Sequence, residues 1–150
     1  MDNDKTLSIL NNLIETCKDG ELGFKTAADG LQNTAIKASF LEYSQQRARF
    51  ARDLQEQVHK LGGDAETSGS VSASIHRGWI NIKSAVTGND DHAIVAEAER
   101  GEDVAKAAYE EALKTSLPSP AHALVQEQAV QVRAAHDHVR DVRDQHSVAR

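Results

Sequence analysis

Residues 7–28 read Leu7-Ser8-Ile9-Leu10-Asn11-Asn12-Leu13-Ile14-Glu15-Thr16-Cys17-Lys18-Asp19-Gly20-Glu21-Leu22-Gly23-Phe24-Lys25-Thr26-Ala27-Ala28. Leu7, Leu10, Ile14, Cys17, Glu21, Phe24 and Ala28 recur every three or four residues, the spacing of one face of an α-helix. Glu21 falls on that face where an apolar residue is expected. A carboxylate facing a core costs several kcal/mol unless it is paired, protonated or bound to a metal. Glu21 is therefore both a marker of the helix and the first candidate for a functional site.

Helical periodicity extends over most of the chain, which predicts an all-α fold. The first segment spans about residues 4–29 and stops at Gly30. A second spans about 34–61, capped by Asn33 or Thr34, with Ile36, Phe40, Tyr43, Arg47, Phe50, Leu54, Val58 and Leu61 on its stripe. Gly62-Gly63 ends it, and residues 63–70 read as a Gly/Ser/Asp/Thr loop. A shorter helix is expected at about 70–87, with Val71, Ile75, Trp79, Ile82 and Val86 on one face. Gly88-Asn89-Asp90-Asp91 separates it from a helix at about 90–115. Ser119-Pro120 marks the start of the last helix, about 119–147, because Ser suits the N-cap and Pro the first helical turn. Its stripe is Leu124, Val125, Gln128, Ala129, Val132, His136, Val139 and Val142.

Two of the links are short, so the long helices pair as two antiparallel hairpins. The connection across residues 62–89 is long enough to run the length of a bundle, which points to a four-helix bundle with one crossover. Residues 1–150 are expected to form a single domain, a length that supports a real core.

Polar interruptions resembling Glu21 occur in the other long helices: Glu42 with Gln45, Glu99 with Glu102, and His136. Counting at 1.5 Å per residue puts them near one level of such a bundle. Two explanations stand. Carboxylates and an imidazole could hold a metal, with iron, manganese or zinc as the candidate ions. Alternatively, Arg47 and Arg133 neutralise the carboxylates in a structural ion-pair network.

Leu10-Asn11-Asn12-Leu13-Ile14-Glu15, Lys18-Asp19-Gly20-Glu21-Leu22-Gly23-Phe24, Ser44-Gln45-Gln46-Arg47-Ala48-Arg49-Phe50, His76-Arg77-Gly78-Trp79 and Glu99-Arg100-Gly101-Glu102-Asp103 make the chain resemble a bacterial ferritin-like four-helix-bundle family of unknown function. The resemblance covers nearly the whole chain, within the wider ferritin and rubrerythrin superfamily. It implies a metal-ligand pattern of one Glu on each of two helices and Glu-x-x-His on the other two. Placed on that pattern, Glu21 and Glu99 take the lone-Glu positions, with Glu42 and His136 as further ligands. Gln45 replaces one imidazole and Arg133 one carboxylate. Arginine cannot ligate, and its charge repels a cation.

The formal net charge of −6 argues against nucleic acid as a partner, and against a DNA-shielding miniferritin. The arginines of the last third alternate with Asp137, Asp141 and Asp144 and read as a solvated face. Cys17 is the only cysteine, so no internal disulfide can form. No apolar run spans a membrane and no signal segment begins the chain, so a cytoplasmic location is expected. Trp79 reads as the anchor of the crossover on the bundle. His59, His92, His122, His138 and His146 show no mutual ligand spacing, and no catalytic residue can be assigned.

The functional expectation is a ferritin-like structural or stress-associated binding protein with a degenerate di-metal site. The alternative is a di-iron oxidase or iron-handling protein of the ferritin or rubrerythrin type. Iron storage specifically would require a hollow multisubunit shell, which a sequence does not show; the partner considered is a second copy of the chain, in a homo-oligomer.

Overall fold

The structure, a computed structural model, describes residues 2–64 and 78–149, with side chains described through residue 145. Five helices pack together, and no strand occurs among the described residues. They are α1 (Asn3–Gly30), α2 (Thr34–Lys60), α3 (Ile82–Thr87), α4 (Asp91–Leu113) and α5 (Ser119–Ala149).

Side chains that satisfy exposed backbone N–H groups fix three helix starts. Asp2 accepts from the Lys5 N–H at 2.8 Å, Asn33 from Ile36 at 3.0 Å, and Asp90 from His92 at 3.1 Å. Asp91 adds a tertiary link: its two carboxylate oxygens accept from the N–H groups of Gln32 and Asn33, each at 2.9 Å. The α1–α2 turn is thereby tied to the start of α4.

Cross-helix hydrogen bonds give the directions. Asn3 Nδ2 donates to the Leu61 carbonyl at 3.1 Å, and Ser44 Oγ to the Glu21 carbonyl at 2.7 Å, so α1 and α2 are antiparallel. Tyr109 meets Gln128, while Asp103 meets His136, so α4 and α5 are antiparallel too. α1 also packs on α4, and α2 on α5. Leu61 lies beside the start of α1 and Asp91 beside its end, so the α2–α4 connection has its two ends at opposite ends of the helices.

Residues 78–90 of that connection rise along α1 and α4. The sequence pattern predicts helix over 70–87; residues 70–77 lie outside the described residues, and 78–81 form a turn rather than helix. Gly78 has φ +92°, a left-handed conformation that glycine adopts without a Cβ penalty. Residue 78 thus departs from the helical conformation that periodicity extends through it. Trp79 follows, 2% exposed, with its indole wedged between Gly23 of α1 and Gly101 of α4. A Cβ on either glycine would lie 2.3 Å or 2.1 Å from the ring. These glycines make room for a side chain, not for a close approach of two helix backbones.

The core forms two apolar clusters. One gathers Leu10, Leu13, Ile14, Phe50, Leu54 and Val125 with their neighbours; the other gathers Phe24, Phe40, Trp79, Ile82, Ile94 and Val139. No described helix is long and apolar enough to cross a membrane.

Candidate functional site

Arg47 lies on the buried stripe of α2, in step with Phe40, Ser44, Phe50, Ala51 and Leu54. Its guanidinium enters the core between the two apolar clusters. It grips the Glu102 carboxylate of α4 through both oxygens, Nη1 to Oε1 at 2.6 Å and Nη2 to Oε2 at 2.8 Å. The two side chains are 1% and 0% exposed. Nε donates to Gln46 Oε1 at 3.2 Å, and Cζ lies 5.5 Å from the Phe24 ring centroid. Burial by itself disfavours the charged guanidinium, but the Glu102 carboxylate more than offsets it and holds Arg47 firmly protonated. Gly20 of α1 faces this side chain; a Cβ there would meet Arg47 Cγ and Nη1 at 3.3 Å. The absence of a side chain at residue 20 leaves room for the buried arginine beneath α1.

The core stripe of α1 therefore runs through Gly20 rather than Glu21. Glu21 is half-buried at the edge of the stripe, and its carbonyl, not its carboxylate, bonds α2. Glu42 and Gln45 are exposed, because α2 buries residues 40, 44 and 47 and turns 42 and 45 outward. Arg133 is exposed on α5 and not near the core. The arginine that reaches the site from α5 is Arg143, nearly three turns further along. Its Nη1 donates to Glu99 Oε1, and its Nη2 to Asp144 at 2.8 Å. The Asp144 bond and the Glu99 charge together raise the Arg143 pKa.

His136, 6% exposed, faces α4 as its place on the α5 stripe predicts. Its Nε2 lies 2.7 Å from Asp103 Oδ1, and its Nδ1 lies 3.0 Å from Asp137 Oδ1. The bond to His136 holds the Asp137 carboxyl below its ordinary range. Glu99, Asp103 and His136 each offer a donor atom, and these atoms all lie within 4.8 Å of one another. Glu21 and Glu42 are not part of this group. The sequence reading missed Asp103, although Glu99-x-x-x-Asp103 is the spacing that puts two carboxylates on one helix face.

A second polar chain crosses the core nearby. Tyr109 donates to Gln128 Oε1 at 2.7 Å, Gln128 Nε2 donates to the Phe50 carbonyl at 3.3 Å, and Cys17 Sγ lies 3.1 Å from the Tyr109 hydroxyl. A phenol has one proton, and Tyr109 gives it to Gln128, so the Cys17 thiol is the donor to Tyr109. Burial pushes the thiol pKa up to about 11.

A di-metal centre in the style of ferritin needs carboxylates and imidazoles converging between four helices. Here the position between α2 and α4 is filled by a guanidinium, and the carboxylate beside it is already held through both oxygens. Residues of this kind do not fit such a centre.

Residues 5–115, from α1 through α4, match a family described as a domain of unknown function, DUF2383. Arg47, Glu99, Glu102 and Asp103 fall inside the matched stretch, and His136 and Arg143 lie beyond it. No curated protein matches the chain.

Proposed function

The chain belongs to DUF2383, a domain of unknown function, and on that footing we propose that it is a ferritin-like structural or stress-associated binding protein whose bundle centre holds an internal ion pair instead of a di-metal site. The ferritin-like assignment is supported by two antiparallel hairpins, α1–α2 and α4–α5, and by the starts of α2 and α4 lying at one end, where Asp91 accepts from the Gln32 and Asn33 N–H groups. The absence of di-metal chemistry at the centre rests on one observation, the bidentate Arg47–Glu102 pair buried among the helices. A fixed positive charge there raises the free energy of any cation placed beside it, and Glu102 has no free oxygen to offer. The competing di-iron oxidase reading needs Glu42 to face the core, and its exposure opposes that reading.

The test is Fe(II) oxidation in air by the full chain, followed by absorbance and oxygen uptake. The expected rate equals that of buffer alone. Binding of two irons per chain with accelerated oxidation, suppressed by Glu21→Gln and Glu42→Gln, would overturn the reading.

A further inference from the structure

We propose that Glu99, Asp103 and His136 form a site for one divalent cation on the seam between α4 and α5, separate from the bundle centre. Its three donors come from only two helices. Glu99 and Asp103 stand one turn apart on one face of α4, and His136 reaches them from α5. Their donor atoms already lie within 4.8 Å of one another. Ligands of one ion at bond lengths of about 2.0–2.2 Å stand roughly 3–4 Å apart, so small side-chain rotations suffice.

The imidazole is what separates this group from a patch of surface acids. His136 is buried, and its Nε2 is aimed at Asp103. Asp137 holds Nδ1 from the other side at 3.0 Å. A carboxylate bonded to the remote ring nitrogen fixes the orientation of a ligating histidine and strengthens it as a donor. Asp103, 60% exposed, leaves the opposite side open to water and to an entering ion. The ion takes the place of the direct contact between Nε2 and Asp103 Oδ1.

Local charge favours a cation. Five carboxylates, Glu99, Asp103, Asp137, Asp141 and Asp144, stand against three guanidiniums, Arg133, Arg140 and Arg143, around the one imidazole. Arg143 occupies one oxygen of Glu99 and leaves the carboxylate its second. Two carboxylates with one imidazole suit a borderline ion such as Zn2+, Fe2+ or Mn2+, and suit neither Cu(I), which prefers thiolate, nor Mg2+, which prefers oxygen alone.

Titration of the chelator-treated full chain with Zn2+, followed by calorimetry, tests the proposal. Cobalt substitution gives a second readout through its visible absorption. One ion per chain is expected, weakened about 10-fold or more by Asp103→Asn and by His136→Gln. Glu21→Gln and Glu42→Gln are expected to leave binding unchanged. Asp103 is exposed, so its variant folds and decides the matter even if the His136 variant does not. Absence of Zn2+ binding, an Asp103→Asn affinity equal to wild type, or dependence on Glu21 or Glu42 would each overturn the proposal.

Discussion

The Cys17 thiol, buried in α1, donates to a tyrosine hydroxyl whose own proton is committed to Gln128. Ionising it would place a thiolate in the core, and burial lifts its pKa from 9.0 to about 11. Tyr109 is raised for the same first reason, burial, with the thiol adding to it. The sign of the consequence is fixed by linkage. Above pH 9 the unfolded chain loses the thiol proton while the folded chain keeps it, so the unfolded state binds fewer protons and stability falls. A rise from 9.0 to about 11 corresponds to roughly 3 kcal/mol, lost between those two values. Urea midpoints measured at pH 8 and pH 10.5 should therefore diverge more for wild type than for Cys17→Ala. Equal divergence in the two proteins would show that the thiol does not carry the effect. The same burial makes native Cys17 inert to alkylating reagents at neutral pH. At this scale the sequence was informative about Cys17, Arg47 and His136, each of which occupies its stripe. It misled at Glu21 and Glu42. A helix face about 100° wide does not tell a residue at its edge from one at its centre, and only the neighbouring helix decides which side is buried. It misled at Arg133 for the same reason, while Arg143 was absorbed into a run of alternating charges.

Glycine inside a helix ordinarily weakens it by about 1 kcal/mol relative to alanine. Gly23 and Gly101 reverse that rule because Trp79 occupies the space a methyl group would take. Gly101→Ala is expected to destabilise the protein by about 1–3 kcal/mol, the range for an overpacked core. Gly20→Ala should cost less, since the nearest atoms are those of the long Arg47 side chain at 3.3 Å. Trp79→Ala alone should cost about 3 kcal/mol or more. Adding Gly101→Ala to the Trp79→Ala background should then stabilise, because the clash is gone and the propensity gain remains. Thermal melts of the four proteins in this cycle test the idea, and a Gly101→Ala effect of one sign in both backgrounds would refute it. The long helices were legible because each repeats its apolar period over many turns, with caps at Asn33 and Asp90. The segment around Gly78 was not. Trp79 keeps a helical spacing with Ile82 and Val86, yet residues 78–81 form a turn, and Gly78 takes a positive φ that periodicity does not encode.

Across the whole molecule, the Arg47–Glu102 pair lies where the two apolar clusters meet. Sequence pattern allowed either a metal or an ion pair at this level, because both need charged residues on a core stripe. The choice depends on which side chain reaches which partner across the bundle. A buried pair of this kind returns little net stability, since removing two charges from water offsets their attraction. Its stronger effect is on alternatives: a shift of α2 along α4 by one turn would leave both charges buried and unpaired. Arg47→Ala should accordingly destabilise by about 3–5 kcal/mol, stranding Glu102 without a partner. Replacing both residues, Arg47→Met with Glu102→Leu, joins the two clusters into one apolar core of similar volume. That double variant should recover wild-type stability or exceed it by about 1–4 kcal/mol, as apolar replacement of buried ion pairs can. Urea unfolding of the wild type, the single variant and the double variant measures this directly. If the double variant is as unstable as Arg47→Ala, the loss in the single variant is not the stranded charge, and the guanidinium stabilises the fold through its packing against Phe24 and Gly20 instead.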